Sequence, residues 1–420
     1  MKVLLSAYAC IPNRGTEPGH GWGLAVHLAK LGIEVHVLTT LANSEMINDH
    51  IRDYPVPGIS FHYVDYPTRR FRSEEMRYLL WQWAAVKSAK ALNQSERFDV
   101  VHHITFGSVH VPSQLWRIGV PTVFGPVGGG QTAPESMLRY FGSDKKKERA
   151  RTLLTRAIKY SPFHRYWLSK MSFVLVTNRE TYDLVRFLGR KDAEMMFDVI
   201  IPNDFVSQRP RRFEDTPRPL KILWVGTMRP RKGLALSLDI LAKVKTPATL
   251  TILGNGFEER GVREMIARRK LTDRVIWEDR RLPWAEVKKA YLTHDVMLFN
   301  SLRETGGAQL AESMALGLPV VTLNMHGPAE LVPEGAGLKI EVHNPEQVIQ
   351  EAAAALDRFA NLSGEERSRM SQAGWSFARS LTYSNRAKQM AAIYESAIAR
   401  RQTASSMLHA SARIRYGTGE

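Results

Sequence analysis

The chain has 420 residues, 44% of them hydrophobic and 24% charged, the composition of a globular protein of about two domains. No apolar run reaches the ~18 residues of a spanning helix, the opening MKVLLSAYAC is too short an apolar stretch for a signal peptide, and the single cysteine, Cys10, rules out an internal disulfide and reads as a small core residue. The formal net charge of +16 points to an acidic partner, and ten Lys/Arg against two Asp/Glu between Arg139 and Lys170 make a local +8.

In chain order, KVLLSAYA reads as a buried strand, followed by a Gly-rich loop and a helical pattern from Gly21 to Leu31 that Gly32 ends. IEVHVLTT, FDVVHHIT, VPTVFGP, FVLVTN and DVIIPN are further strands of the first half. The polar, Pro-rich SQRPRRFEDTPRP, Ser207 to Pro219, marks a boundary. A second series then alternates LKILWVGT, a helix from about Gly233 to Lys245, ATLTILG, a helix, RVIWED, a helix, DVMLFN, another helix and GLPVVTL. Strand–helix alternation on both sides of the boundary predicts an α/β chain of two doubly wound domains, 1–206 and 207–383. LTYSNRAKQMAAIYESAIARR is a helix with no strand after it, whose apolar face over 384–400 needs a partner, and 401–420 reads as a flexible basic tail.

Ligands of such sheets bind beyond the carboxyl ends of the strands. Four loops there carry polar chemistry. SLRETGGAQLAE places Glu304 in a loop and Glu312 about one turn inside the following helix, with Gly306 and Gly307 between them. A carboxylate is a pure acceptor suited to sugar hydroxyls, and the helix amides point into the same space. GTMRPRKGL puts Arg229 and Lys232 beside Gly226 and Gly233, two cations on flexible backbone that suit a diphosphate, or else a solvated basic turn. ILGNGFE supplies Gly254 and Gly256, and NRGTEPGHGWG follows the first strand without the spacing of a dinucleotide fingerprint. His102 and His103 stand at a strand end, either facing the cleft or satisfied in the core.

These segments resemble the retaining glycosyltransferases of family four, the glycosyl transferases group 1, which have the GT-B fold. ETGGAQLAE fits their E-x7-E signature, VGTMRPRKG resembles their G-x-x-x-x-x-K-G phosphate loop, IIPND their I-P-N-G, and ESMALGLPVV their E-A-M-A-x-G-x-P-V-V; the likeness runs over residues 2 to 400. It implies two Rossmann-like domains facing across a cleft, the first on the acceptor side and the second binding the donor, with the last helix crossing back. By the same resemblance Arg229 and Lys232 bind the donor diphosphate and Glu304 the transferred sugar. The amides around Thr305, Gly306 and Gly307 hold sugar or phosphate, Glu312 accepts from the ribose, and Gly15, Gly226 and Gly254 bring backbone close to the donor. The pattern H-x-H reads His102-His103-Ile104 here, so His102 and His103 only approximate the sugar-contacting histidine. E-G-F-G reads Glu304-Thr305-Gly306-Gly307, and the Gly of I-P-N-G is Asp204.

The expected reaction is retaining transfer from a nucleoside diphosphate sugar, with Arg229, Lys232 and Glu304 as the catalytic set. No cofactor is expected and, as no D-x-D occurs, no metal. The base pocket is expected near Trp277 to Arg281. A glycosidase with Glu304 and Glu312 as acid and base leaves the basic loop unexplained. A nucleotide- or nucleic-acid-binding protein without catalysis is the other alternative; no nucleic-acid module is recognisable, and no nucleic acid is expected. RRFRSEEMRYLLWQW, Arg69 to Trp83, and the +8 stretch with Tyr160, Phe163, Tyr166 and Trp167 predict peripheral binding to the inner face of an anionic cytoplasmic membrane, with a glycan or lipid-linked acceptor.

Overall fold

Both halves of the chain close into parallel sheets because buried β-branched runs alternate with helices that cover their faces. The computed structural model describes residues 1–67, 73–215, 218–254, 256, 259–278 and 282–416, with backbone only at 16, 259, 260 and 404–416. The strands are β1 (Lys2–Ser6), β2 (Glu34–Thr40), β3 (Ile59–Val64), β4 (Val100–His103), β5 (Thr122–Val127), β6 (Phe173–Val176) and β7 (Glu194–Met195), then β8 (Leu220–Val225), β9 (Ala248–Leu253), β10 (Val275–Glu278), β11 (Val296–Phe299), β12 (Val320–Leu323) and β13 (Gly337–Ile340). The helices are α1 (Thr16–Ala29), α2 (Ser44–Asp53), α3 (Glu74–Glu96), α4 (Lys145–Ile158), α5 (Pro162–Ser169), α6 (Arg179–Phe187), α7 (Leu234–Leu241), α8 (Glu259–Arg268), α9 (Trp284–Thr293), α10 (Ala308–Ala315), α11 (His326–Leu331), α12 (Pro345–Ala360), α13 (Gly364–Ala378) and α14 (Tyr383–Tyr416).

The first sheet has 7 strands in the order β3-β2-β1-β4-β5-β6-β7 and the second has 6 in the order β10-β9-β8-β11-β12-β13. The order reverses between β1 and β4 and between β8 and β11, so the loops after these four strands open at the two crevices where such sheets take ligands. Four of the stretches singled out above, at Gly15, His103, Gly226–Gly233 and Ser301–Gly307, are these loops, whereas ILGNGFE follows β9, the neighbour of β8.

Three expectations change. DVIIPN is not a strand: among the described residues its only ladder contact is the bridge of Ile201 to Thr382, and it forms the crossing between the domains. The first helix starts at Thr16, not near Gly21, so the Gly-rich segment is itself helical. The segment after residue 400 continues α14 to Tyr416, because its Ala, Arg and Ser content carries no helix breaker before Gly417.

α14 packs on the first domain. Ala387, Met390, Tyr394 and Ala397 are fully buried in one core with Val3, Leu5, Val35, Val37 and Leu175. Cys10 is buried in the same core. Burying a Tyr or Met stabilises by about 1.5–3 kcal/mol each, so the last helix is part of the first domain's core although it follows the second in sequence.

Candidate functional site

Gly233 ends the turn after β8 at φ 72, and a side chain there would collide with the carbonyl of Asn300 at the end of β11. Only glycine allows these two loops so close. Across this contact Leu302 N donates to Arg231 O at 2.7 Å and Ser301 Oγ donates to the same oxygen at 3.1 Å. The zipped loops deliver Lys232 Nζ onto Glu304 Oε2, with Arg231 Nη1 at 3.5 Å and Ser301 Oγ at 3.1 Å from the same oxygen. Glu304 is 9% exposed and Lys232 8%. Burial alone would raise the carboxyl, but Lys232 and Arg231 outweigh it and hold its pKa at about 2.

Helix α10 begins shortly after this acid, from Gly307 at φ 100, and among the described residues no side chain caps its first amides. Leu310 N already donates to Gly307 O at 2.9 Å, and the amides before it face the space where an anion can bind. Glu312, in the same helix, accepts from the Tyr291 hydroxyl at 2.8 Å. Burial pushes its carboxyl up to about 7, against the pull of Tyr291 and Lys232. Asp198, on the crossing segment, lies against Gly306, where a side chain would strike its carboxylate. Asp198 Oδ1 has no hydrogen-bond partner among the described residues, and burial with nearby Glu17 and Glu304 lifts its pKa to about 7.

The structure therefore brings together Lys232, Glu304, Thr305, Gly306, Gly307 and, one turn on, Glu312. Gly226 and Gly254 touch closely, since a side chain on Gly254 would meet the Gly226 carbonyl. Arg229 is exposed and its charge reaches Glu75 of the first domain. Gly15, the N-cap of α1, has open space around it. Trp277 donates to Gly254 O at 3.3 Å; residues 279–281 of the expected base pocket lie outside the described residues.

The two histidines do not join this set. His102 is fully buried; its Nε2 donates to the Gly125 carbonyl, its Nδ1 takes the Tyr394 hydroxyl at 2.6 Å, and burial lowers its pKa to about 4. His103 lies between Ser6 Oγ at 3.0 Å and the Tyr78 hydroxyl at 2.7 Å, its pKa lowered to about 3 by burial. With both ring nitrogens of each taken by protein, these side chains fill the core.

Arg231, Tyr291, Asp198 and Gln131, whose Nε2 donates to Thr305 Oγ1 at 2.8 Å, escape the sequence reading. Arg231 stands in the quoted loop, so charge beside Lys232 was the available signal; the other three show none, because their partners are distant in sequence. Among the described residues one group could hold a metal ion, Glu34, His36 and Glu96. It lies at the opposite, amino-terminal edge of the first sheet, where Lys2 Nζ already sits 2.9 Å from both carboxylates.

Residues 22–203 match the family described as Glycosyl transferase 4-like domain, and residues 208–376 match Glycosyl transferases group 1. The chain is 27% identical over 208 residues to a D-inositol 3-phosphate glycosyltransferase of Corynebacterium glutamicum, covering 47% of this chain and 48% of that one. It is 32% identical over 154 residues to the putative colanic acid biosynthesis glycosyltransferase WcaL of Salmonella typhimurium, covering 34% and 37%. With the D-inositol 3-phosphate glycosyltransferase of Pseudarthrobacter chlorophenolicus it shares 24% identity over 86% of this chain and 87% of that one. Thus the chain spans about half or less of the first two relatives and most of the third. Among solved structures, sucrose-phosphate synthase from Thermosynechococcus elongatus superposes with a TM-score of 0.66 at 16% identity, over 95% of this chain and 99% of that one. HepE of Anabaena in complex with UDP-glucose gives 0.57 at 15% identity, over 94% and 100%. These likenesses show the fold, the GT-B arrangement of two facing α/β domains.

Proposed function

We propose that this chain, which belongs to the glycosyl transferases group 1 with a glycosyl transferase 4-like first domain, moves a sugar from a nucleoside diphosphate sugar to a glycan or lipid-linked acceptor in envelope or exopolysaccharide synthesis. The observation that carries this reading is the meeting of Lys232, Arg231 and Glu304 beside the uncapped first turn of α10. As the sugar leaves, negative charge builds on the diphosphate. Preset cations and helix amides stabilise it without having to reorganise. Glu304, held ionised, accepts from sugar hydroxyls; Glu312 accepts from the ribose, and Arg229 adds a cation at the mouth. A nucleotide-sugar donor agrees with the UDP-glucose bound in HepE. Transfer is read as retaining, with acceptor attack on the face the diphosphate leaves and no protein nucleophile. It is read as metal-independent, because protein cations meet the diphosphate.

The test is a panel of nucleotide sugars with lipid-linked and free glycan acceptors, followed by nucleoside diphosphate release, with EDTA added and the product's anomeric configuration read by NMR. Turnover with retention and without metal is expected. A protein that binds nucleoside diphosphate but consumes no nucleotide sugar would be the plain binder, and one that hydrolyses glycosides alone would be the glycosidase.

The acceptor side is read as a membrane surface. Among the described residues no helix is long and apolar enough to cross a membrane. On α4, α5 and the turn between them, however, Leu153 is 64% exposed, Leu154 57% and Tyr160 80%, with Phe163 and Tyr166 also open. Lys145, Lys146, Lys147, Arg156 and Arg165 are exposed in the same stretch. Cations around exposed apolar and aromatic side chains suit an anionic leaflet. In the other stretch, Trp81 is fully buried and Trp83 exposed, and Arg69, Arg70 and Arg72 lie outside the described residues.

A further inference from the structure

Both sequence neighbours of Glu304 are held from the opposite domain. The acid itself is bound within the second domain, by Lys232, Arg231 and Ser301. Arg303 Nε, however, donates to Glu148 Oε1 on α4 at 2.6 Å. Thr305 Oγ1 accepts from Gln131 Nε2 at 2.8 Å, and Thr305 O accepts from Asn178 Nδ2 at 3.1 Å. We infer that the first domain sets the position of Glu304 by gripping Arg303 and Thr305, with Gln131 as a positioning residue for sugar transfer.

The grip is built rather than incidental. Gln131 is 2% exposed, its Oε1 accepts from Gly129 N at 2.9 Å, and its carbonyl accepts from Arg151 Nη1 at 2.9 Å. Its amide is therefore fixed before it meets Thr305. Asn178 caps α6, its Oδ1 accepting from Thr181 N at 3.0 Å, which aims its NH2 group at the Thr305 carbonyl. A side chain on Gly128 would overlap the Thr305 methyl, and one on Gly327 would overlap the Thr305 carbonyl. Beside them His326 Nε2 donates to Thr132 O at 3.1 Å. Thr305 stands where the family pattern has Gly, and its hydroxyl and methyl give the first domain something to hold.

If the domains part, the Gln131 amide, the Thr305 carbonyl and the half-buried Glu148–Arg303 pair all lose partners, which costs free energy. Closing the cleft and placing the sugar-reading acid are then one event. The catalytic half of this inference rests on the transferase reading; the grip itself does not.

The test uses Thr305→Val, which keeps the shape and removes the hydroxyl, Gln131→Ala, the double variant, and Thr305→Ser. Hydrogen exchange of the unliganded full chain over residues 303–310 should quicken about tenfold in each single variant and no further in the double. In turnover, kcat should fall about tenfold or more while KM for the nucleotide sugar stays within about threefold, as expected of a misplaced group rather than a lost contact. Thr305→Ser should recover at least half of both losses. Unchanged exchange in Gln131→Ala, additive effects in the double variant, or a loss that falls on KM alone overturns the inference. Should the unsubstituted protein consume no nucleotide sugar, the transferase reading fails and the exchange result still decides the grip.

Discussion

Tyr291 donates its hydroxyl proton to Glu312 Oε2 at 2.8 Å, and that phenol is fully buried beneath the second sheet's crevice. Burial raises the Glu312 carboxyl to about 7. A folded-state pKa above the unfolded value means stability that is present below about pH 4.5 and lost as pH rises towards 7, a cost on the order of 3 kcal/mol at pH 8. Glu312→Gln removes that cost. Thermal unfolding should show the variant more stable than the parent at pH 8 and equal to it near pH 4.5, while calorimetry shows weaker nucleoside diphosphate binding. Equal stability difference at both pH values counts against the raised carboxyl.

Lys232→Ala should lower turnover by about 2–4 kcal/mol in the barrier, as loss of one donor to developing charge does elsewhere. Arg231→Ala should follow it, and Arg229→Ala should cost turnover at the cleft mouth. The structure orders them: Lys232 and Arg231 meet Glu304, whereas Arg229 is exposed. Steady-state rates in which Arg229→Ala is worst would place the diphosphate nearer the mouth.

Glu304→Gln should abolish sugar transfer while leaving nucleoside diphosphate affinity within about threefold, because the acid reads the sugar and not the nucleotide. The comparison is titration of the diphosphate against both Glu304→Gln and Glu312→Gln. Equal losses in the two would end the division of labour between the acids.

Tyr394→Phe should destabilise the first domain by about 1–3 kcal/mol. It removes one hydroxyl and leaves the fully buried His102 Nδ1 without its donor. Urea unfolding of the full chain measures this, and a change below about 0.5 kcal/mol would show that water replaces the phenol.

Sedimentation with anionic vesicles should carry the protein down at low salt and release it at high salt. Reversing Lys145, Lys146 and Lys147 to Glu should weaken binding strongly, since each cation near an anionic leaflet contributes about 1 kcal/mol. Protein that stays in the supernatant at low salt points to a soluble acceptor.

The amino-acid sequence by itself determined the two alternating α/β halves and the loops at their strand ends. These are local matters: β-branched runs, helix periods, and glycines at strand ends that let backbones approach. Gly233 and Gly307 could be read as site glycines because their neighbours in sequence already set the turn they must make. Only the tertiary structure decided which polar residues face the cleft. His102 reads as a strand-end ligand until Tyr394, 292 residues later, covers it. Trp81 and Trp83 look alike in sequence, yet one is core and the other surface. Arg231 takes the acid's side and Arg229 does not, and Gln131 reaches Thr305 across 174 residues. The reason is physical: periodicity tells which way a side chain points, but burial, charge pairing and pKa depend on what arrives opposite it, and that is supplied by segments remote in the chain.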